Sequence, residues 1–156
     1  MKSTVRIVAV VLLASLLADG QSIRSDTDEF SNVEYVHTKE QKKQARIVKG
    51  TLSLNGEKKS IEFLNEEKES IFTTKYDAIT AMTYEQSSKP RYAEAVLISP
   101  LFLLSPSKKH FLTIQYTDDN GAGQYVIFHL SKKNAHHVVA AAEARTGKKV
   151  MRAEEK

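Results

Sequence analysis

The chain has 156 residues, of which 41% are hydrophobic and 27% charged, and its formal net charge is +4. These values are typical of one globular domain and exclude a disordered chain, which has fewer apolar residues and a larger net charge. The chain has no cysteine, which excludes disulfides, thiolate zinc sites and thiol catalysis. The small positive charge fits contact with an anionic surface, and it fits equally a soluble protein with a few additional lysines.

The first twenty residues contain the three parts of a signal peptide in their usual order. A positively charged start precedes a continuous apolar stretch over residues 7–17, and small residues follow at Ala18 and Gly20. This pattern predicts a signal peptide over residues 1–20, export to a periplasmic or extracellular location, and cleavage before Gln21. The apolar stretch is short for a membrane-spanning helix, so an N-terminal anchor that is not cleaved is the alternative.

Residues 21–44 are polar and show no clear period. Phe30, Val33 and Tyr35 are compatible with one short strand. The density of apolar residues is low for offsetting the entropy of ordering the chain, so we predict a polar linker or lead-in.

Strand patterns dominate from residue 45 onward. Apolar and polar residues alternate before and after Asn55-Gly56, which is the strongest two-residue hairpin pattern because both residues tolerate positive φ. Further strands are predicted in four segments, residues 71–74, 79–84, 110–116 and 125–130. The apolar run at residues 97–104 predicts a core strand with a corner, and contact with a membrane is the alternative.

The apolar spacing changes to that of a helix near the C-terminus. One helical stripe contains Ala135, Val138, Val139 and Ala142. We predict a helix over about residues 133–146 that Ser131 or Asn134 caps at its start and Gly147 ends. Residues 151–156 are charged and are predicted to form a tail.

Several short antiparallel strands followed by one amphipathic helix is the order of elements in a pleckstrin-homology-like (PH-like) barrel. Three segments carry this likeness, YDAITAMTY, KKHFLTIQYTDDNG and AAAEARTGKKV. Through them the chain resembles small exported bacterial proteins of unknown function with a PH-like domain. The resemblance covers residues 45–150 and implies a mainly β domain, with a barrel of about seven antiparallel strands that a C-terminal helix closes.

No motif in the chain predicts a catalytic residue, a metal ligand or a cofactor site. His136 and His137 are adjacent, whereas a zinc pair on a helix needs a spacing of four residues. The segment Asp118–Gly121 begins like a calcium loop, but His129 stands where such a loop requires a glutamate. We therefore interpret this segment as the turn of a hairpin.

Paired lysines beside the predicted turns are the candidate binding residues. We select Lys58, Lys59, Lys108 and Lys109 as a rim that attracts an anion or a partner. The resemblance implies a basic loop between the first two strands, and Lys58 and Lys59 occupy that place with Glu57 beside them. The alternative interpretation is that these lysines are solvated and bind nothing.

The sequence predicts an exported binding or interaction module rather than an enzyme. Its expected partners are an unknown protein or an anionic lipid surface. Nucleic acid is not expected because basic and aromatic residues are not interleaved, and no small-molecule cofactor is expected. Two alternatives stay open, an envelope enzyme such as a hydrolase whose site is not visible in the sequence, and a purely structural envelope domain.

Overall fold

Alternating apolar residues build a sheet in the part of the chain that the computed structural model describes, residues 26–38, 47–88 and 108–153. The predictions for residues 1–20 and 97–104 lie outside these ranges. The described residues form eight strands and one helix, α1. The elements in chain order are β1 (Thr27–Thr38), β2 (Val48–Asn55), β3 (Ser60–Asn65), β4 (Ser70–Lys75), β5 (Ile79–Ser87), β6 (Lys109–Thr117), β7 (Gly123–Leu130), α1 (Ala135–Thr146) and β8 (Val150–Ala153).

All eight strands belong to one sheet with the order β4-β3-β2-β1-β7-β6-β5-β8. Neighbouring strands pair antiparallel, except that β8 pairs parallel with β5. The prediction of a mainly β domain is confirmed. The finer prediction is corrected in two respects, since an eighth strand is present and the sheet is not closed, because β4 and β8 form its edges.

Strand β1 lies in the centre of the sheet, where the sequence predicted a polar linker. That prediction is wrong for residues 27–38. The apolar residues of this segment are few, but Val33, Tyr35 and Val36 are all buried. Pairing with both β2 and β7 supplies hydrogen bonds on both sides of the strand, and these bonds, together with the burial, offset the entropy of ordering it.

Strand β8 lies where the sequence predicted a charged tail, so that prediction is wrong for residues 151–153. Val150 is buried, and its backbone N–H donates to Glu143 Oε1 at 2.9 Å. Met151 and Arg152 are exposed, which gives the segment the appearance of a tail in the sequence. The pairing of β8 with β5 is a long-range contact, and no local sequence pattern predicts it.

The main core lies between the sheet and α1 and has aromatic rings at its centre. The ring of Phe63 lies 5.6 Å from Tyr35 and 5.7 Å from Phe128, and Phe72 meets Phe128 edge to face. The strands predicted over residues 110–116 and 125–130 are confirmed as β6 and β7, and both contribute to this core. Their core residues are Leu112, Ile114, Val126, Phe128 and Leu130.

The central strands also carry buried side chains on the face opposite the main core. Val36, Phe111 and Ile127 are wholly inaccessible to solvent, yet they do not belong to the main core cluster. Strands β1, β6 and β7 are therefore buried on both faces, which distinguishes them from strands with one solvated face.

The turn between β2 and β3 differs in geometry from the predicted two-residue hairpin. Asn55-Gly56 begins the turn, but the loop has four residues and the positive φ belongs to Lys59, at 48°. Asn55 Oδ1 accepts a hydrogen bond from the Lys58 N–H at 2.7 Å. A Cβ on Gly56 would lie 2.6 Å from the Asp26 carboxylate, so a larger residue there would displace that side chain.

Helix α1 packs its predicted stripe against the core, so this prediction is confirmed. Ala135, Val138, Val139 and Ala142 are buried, and Gly147 ends the helix with a φ of 67°. The side chain of Asn134 makes no cap hydrogen bond. Its Nδ2 donates instead to the carbonyl of Ser31 at 2.7 Å, which ties the start of the helix to β1.

The other end of α1 is tied to β1 by charge. Arg145 Nε donates to Asp28 Oδ2 at 2.7 Å, and its Nη1 pairs with Asp26. Hydrogen bonds to these two carboxylates raise the pKa of Arg145. Both ends of the helix are thus tied by side chains to the first half of β1, which does not pair with β7.

Candidate functional site: a polar groove at the bulge of β1

A bulge in β1 opens a groove of about 450 Å³ between β1, β2 and the turn that follows β3. Phe30 pairs with Leu52 and Val33 pairs with Gly50, so that Ser31 and Asn32 share one partner residue on β2. Asn32 has a φ of 56°, a left-handed conformation that asparagine tolerates better than most residues. The extra residue bends β1 away from its partner and re-aims the side chains beside it.

Gly50 is required where β1 and β2 meet at the bulge. A Cβ at this position would overlap the carbonyl oxygen of Leu64 and lie 2.8 Å from Phe63 Cζ. Glycine inside a strand often marks such a close backbone approach. The floor of the groove is therefore set by backbone contact between β2 and β3 rather than by adjustable side chains.

The groove presents both signs of charge. Its walls contain the carboxylates of Glu29, Glu34 and Glu66 and the ammonium groups of Lys49 and Lys68. Amides and hydroxyls stand between them, from Ser31, Asn32, Thr51 and Asn65. This lining contains both hydrogen-bond donors and acceptors, and Leu64 is the apolar side chain among the lining residues.

A half-buried pair of residues, Glu34 and His129, links a lining residue of the groove to β7. Glu34 Oε2 lies 2.8 Å from His129 Nδ1, and both side chains are less than a quarter exposed. Lys109 lies near this pair. Burial lowers the pKa of Lys109, and the Glu34 carboxylate opposes that effect. One of the four lysines predicted from the sequence therefore lies beside the groove.

The turn from β3 to β4 forms the outer wall and is fixed by Asn65. The side chain of Asn65 accepts from the Glu69 N–H at 2.7 Å and donates to Glu69 Oε2 at 2.9 Å. Its backbone N–H donates to the Glu69 carbonyl at 3.0 Å. Lys68 has a φ of 63°, which turns the chain sharply at this point. The wall is thus held by several hydrogen bonds before any ligand binds.

Lys58 and Lys59 lie in the β2–β3 turn and are exposed. Their carbonyls accept hydrogen bonds from Lys75 Nζ at 3.2 Å and from the Tyr76 N–H at 2.9 Å. The adjoining Gly56 lies next to Arg145 at the C-terminal end of α1. This lysine pair therefore belongs to the C-terminal end of the helix.

Lys108 and Lys109 lie near the opposite end of the helix. The residue after them, His110, bonds to Tyr84, whose ring centre is 6.4 Å from that of His136 in the first turn of α1. A helix of 12 residues is about 18 Å long. The structure thus brings each pair together but places the two pairs at opposite ends of α1.

Three histidines surround the start of β6 and of α1. Tyr84 Oη lies 2.6 Å from His110 Nδ1, and the two rings stack with their centres 6.0 Å apart. The ring of His136 lies near that of Tyr84, and both His136 and His137 are exposed. Within the described ranges, no group of three acidic, histidine or cysteine residues is arranged to hold a metal ion. The side chain of His37 lies outside the described residues.

The segment Asp118–Gly121 forms the turn between β6 and β7, as predicted. Asp118 Oδ1 accepts from the N–H groups of Asn120 at 3.0 Å and Ala122 at 2.8 Å. Gly121 has a φ of 76°. The aspartate therefore stabilises the hairpin itself.

No protein-family model matches the chain, and no curated protein is significantly similar to it. None of the helical segments among residues 26–38, 47–88 and 108–153 has the length and apolar character needed to cross a membrane.

Sequence reasoning missed the groove because four of its lining residues, Glu29, Ser31, Asn32 and Glu34, lie in the segment predicted as a linker. Ser31-Asn32 interrupts the alternation of Phe30 and Val33, which conceals the strand. Gly50 inside an alternating run was the one local indication, since glycine in a strand often accompanies a bulge or a close backbone approach.

Replacement of Gly50 tests the geometry of the groove. Gly50→Ala is expected to lower the free energy of unfolding by about 2–3 kcal/mol, because the new methyl group collides with backbone that cannot move away easily. Gly123→Ala is the matched control, since nothing lies within 4 Å of a Cβ at that strand position. Equal urea midpoints for the two variants would contradict the close approach of β2 and β3.

The histidine cluster predicts a dependence of stability on pH. Burial lowers the pKa of His110, and the nearby His136, His129 and Lys132 lower it further. The unfolded chain therefore binds a proton first, near pH 6.5, so stability falls as the pH drops through about 6.5 toward the folded-state pKa.

We expect a lower urea midpoint at about pH 5.5 than at about pH 7.5. His110→Gln is expected to reduce this difference, whereas His137→Gln, at an exposed position, leaves it unchanged. The assignment to His110 fails if the wild type and His110→Gln lose stability equally over this range.

Proposed function

We propose that the protein is an exported binding module that receives a polar polypeptide segment of a partner protein in the groove at the bulge of β1. The observation that carries this proposal is a groove of about 450 Å³ with both signs of charge on its walls. Its shape is fixed by Gly50 and by the hydrogen bonds of Asn65. Such preorganisation lowers the entropy cost of binding.

A polypeptide fits this lining better than an anionic surface does. The groove has three carboxylates and two lysines among its lining residues, so it does not present the cationic surface that an anionic lipid headgroup requires. A peptide supplies a donor and an acceptor at every residue and side chains of either charge. The lysine pairs at residues 58–59 and 108–109 lie at opposite ends of α1, which weakens the case for a single cationic rim.

We also propose that the fold is PH-like, with α1 covering one end of a strongly bent sheet. The order β4-β3-β2-β1 followed by β7-β6-β5 supports this proposal, because β1 pairs with both groups of strands and bends between them. Export rests on the N-terminal sequence pattern. A binding module in the envelope is consistent with both, since this fold serves binding in many proteins.

Selection from a random dodecapeptide library displayed on phage tests the binding function. The probes are the wild type and a variant with the groove lysines reversed, Lys49→Glu/Lys68→Glu. Peptides selected on the wild type are expected to bind with dissociation constants of about 1–100 µM, in the range of weak peptide recognition. The double variant is expected to bind them at least about tenfold more weakly.

The matched control is Lys132→Glu/Lys133→Glu, which changes the net charge equally at two exposed positions that do not line the groove. Retained binding by this control and loss by the groove variant would support the proposal. Peptides that bind both variants equally, or a library that yields no binder, would contradict it.

Sedimentation with anionic vesicles tests the cationic rim. If the wild type and a variant with Lys→Gln at residues 58, 59, 108 and 109 bind the vesicles equally, the hypothesis of a cationic rim is rejected.

A further inference from the structure

Strand β4 forms an edge of the sheet with no neighbour on its outer side among the described residues. The large hydrophobic side chains that are exposed in this part of the chain are Ile71, at 40%, and Met151, at 55%. Each of them lies on one of the two edge strands. Unpaired edges that carry exposed apolar side chains are ready sites for the addition of another strand.

The edge of β4 is regular over most of its length. Residues 72–75 pair in unbroken succession with residues 60–63 of β3, and the irregularity is confined to Ile71. Thr73 and Lys75 are exposed on the outer face. The other edge strand, β8, has only four residues, so an added strand could form fewer backbone hydrogen bonds with it than with β4.

The charges at the two ends of β4 are complementary to each other. Glu69 precedes the strand and Lys75 ends it, and both are exposed. When two copies of the strand pair antiparallel, the start of one lies beside the end of the other. Glu69 of each copy then approaches Lys75 of the other, and charged pairs across strands stabilise the pairing.

We propose that β4 is a self-association edge, through which two copies of the chain pair antiparallel about a two-fold axis. The interface is isologous, because the same strand contributes from both copies. It is also small, since about six residues contribute from each side, and interfaces below about 1,200 Å² are typical of weak complexes. The dimer is therefore expected to be concentration-dependent.

Sedimentation velocity from about 10 µM to about 1 mM tests the proposal over the range of weak association. The wild type is expected to shift from monomer to dimer within this range. Glu69→Lys and Lys75→Glu each place like charges at both ends of the interface, so each is expected to raise the dissociation constant about tenfold. An equimolar mixture of the two variants restores opposite charges at both ends and is expected to restore dimers.

The matched control is Glu57→Lys, which makes the same change of charge at an exposed position in the β2–β3 turn. Met151→Lys controls for the other edge, β8. Lys75→Glu leaves the Asn65–Glu69 hydrogen bonds of the turn in place but removes the exposed one from Lys75 Nζ to the Lys58 carbonyl, so Lys75→Gln, which places no like charges together, is measured beside it and is expected to raise the dissociation constant less. A monomeric wild type throughout, a dimer insensitive to Lys75→Glu, or a dimer that Met151→Lys dissociates would overturn the proposal. Sedimentation velocity is measured without peptide, so its result does not depend on whether the groove binds one.

Discussion

The architecture depends on β1, which pairs with β2 over its first half and with both β2 and β7 around Val33 to Tyr35. One strand thus joins the β2–β4 half of the sheet to the β5–β7 half. A bulge lies where β7 begins to pair, and bulges increase the local twist of a strand. The sheet bends there, so that Tyr35, Phe63 and Phe128 meet in one core.

The same bulge connects packing to the groove. Its backbone exposes the Ser31 carbonyl, which accepts from Asn134 and holds the start of α1. Arg145 holds the other end through Asp28, so both ends of the helix are tied to the part of β1 that does not pair with β7. On the opposite side the displaced residues line the groove. Stability and the proposed binding function therefore share one local distortion, which agrees with the frequency of bulges beside functional sites.

The sequence predicts those elements whose apolar pattern is unbroken. Leu112 and Ile114 alternate without interruption, and Val138, Val139 and Ala142 keep helical spacing, so β6 and α1 are confirmed. Strand β1 was missed because the bulge breaks its alternation, and β8 because its partner is distant in sequence. The groove could not be predicted from local sequence patterns either, because its walls come together only when β1 pairs with β2. The positions of the two lysine pairs depend on the direction in which α1 crosses the sheet, and the spacing of residues in the sequence does not determine that direction.

Native-state hydrogen exchange measured for each amide tests the central role of β1 most directly. Amides of Val33, Glu34 and Tyr35 are expected to exchange as slowly as those of Ile114 and Phe128, through global unfolding, because these three residues pair with both β2 and β7. Exchange at these β1 amides by local opening, far faster than in β6 and β7, would contradict the account. In that case β1 would be a loosely attached segment, and neither the bend of the sheet nor the groove could depend on it.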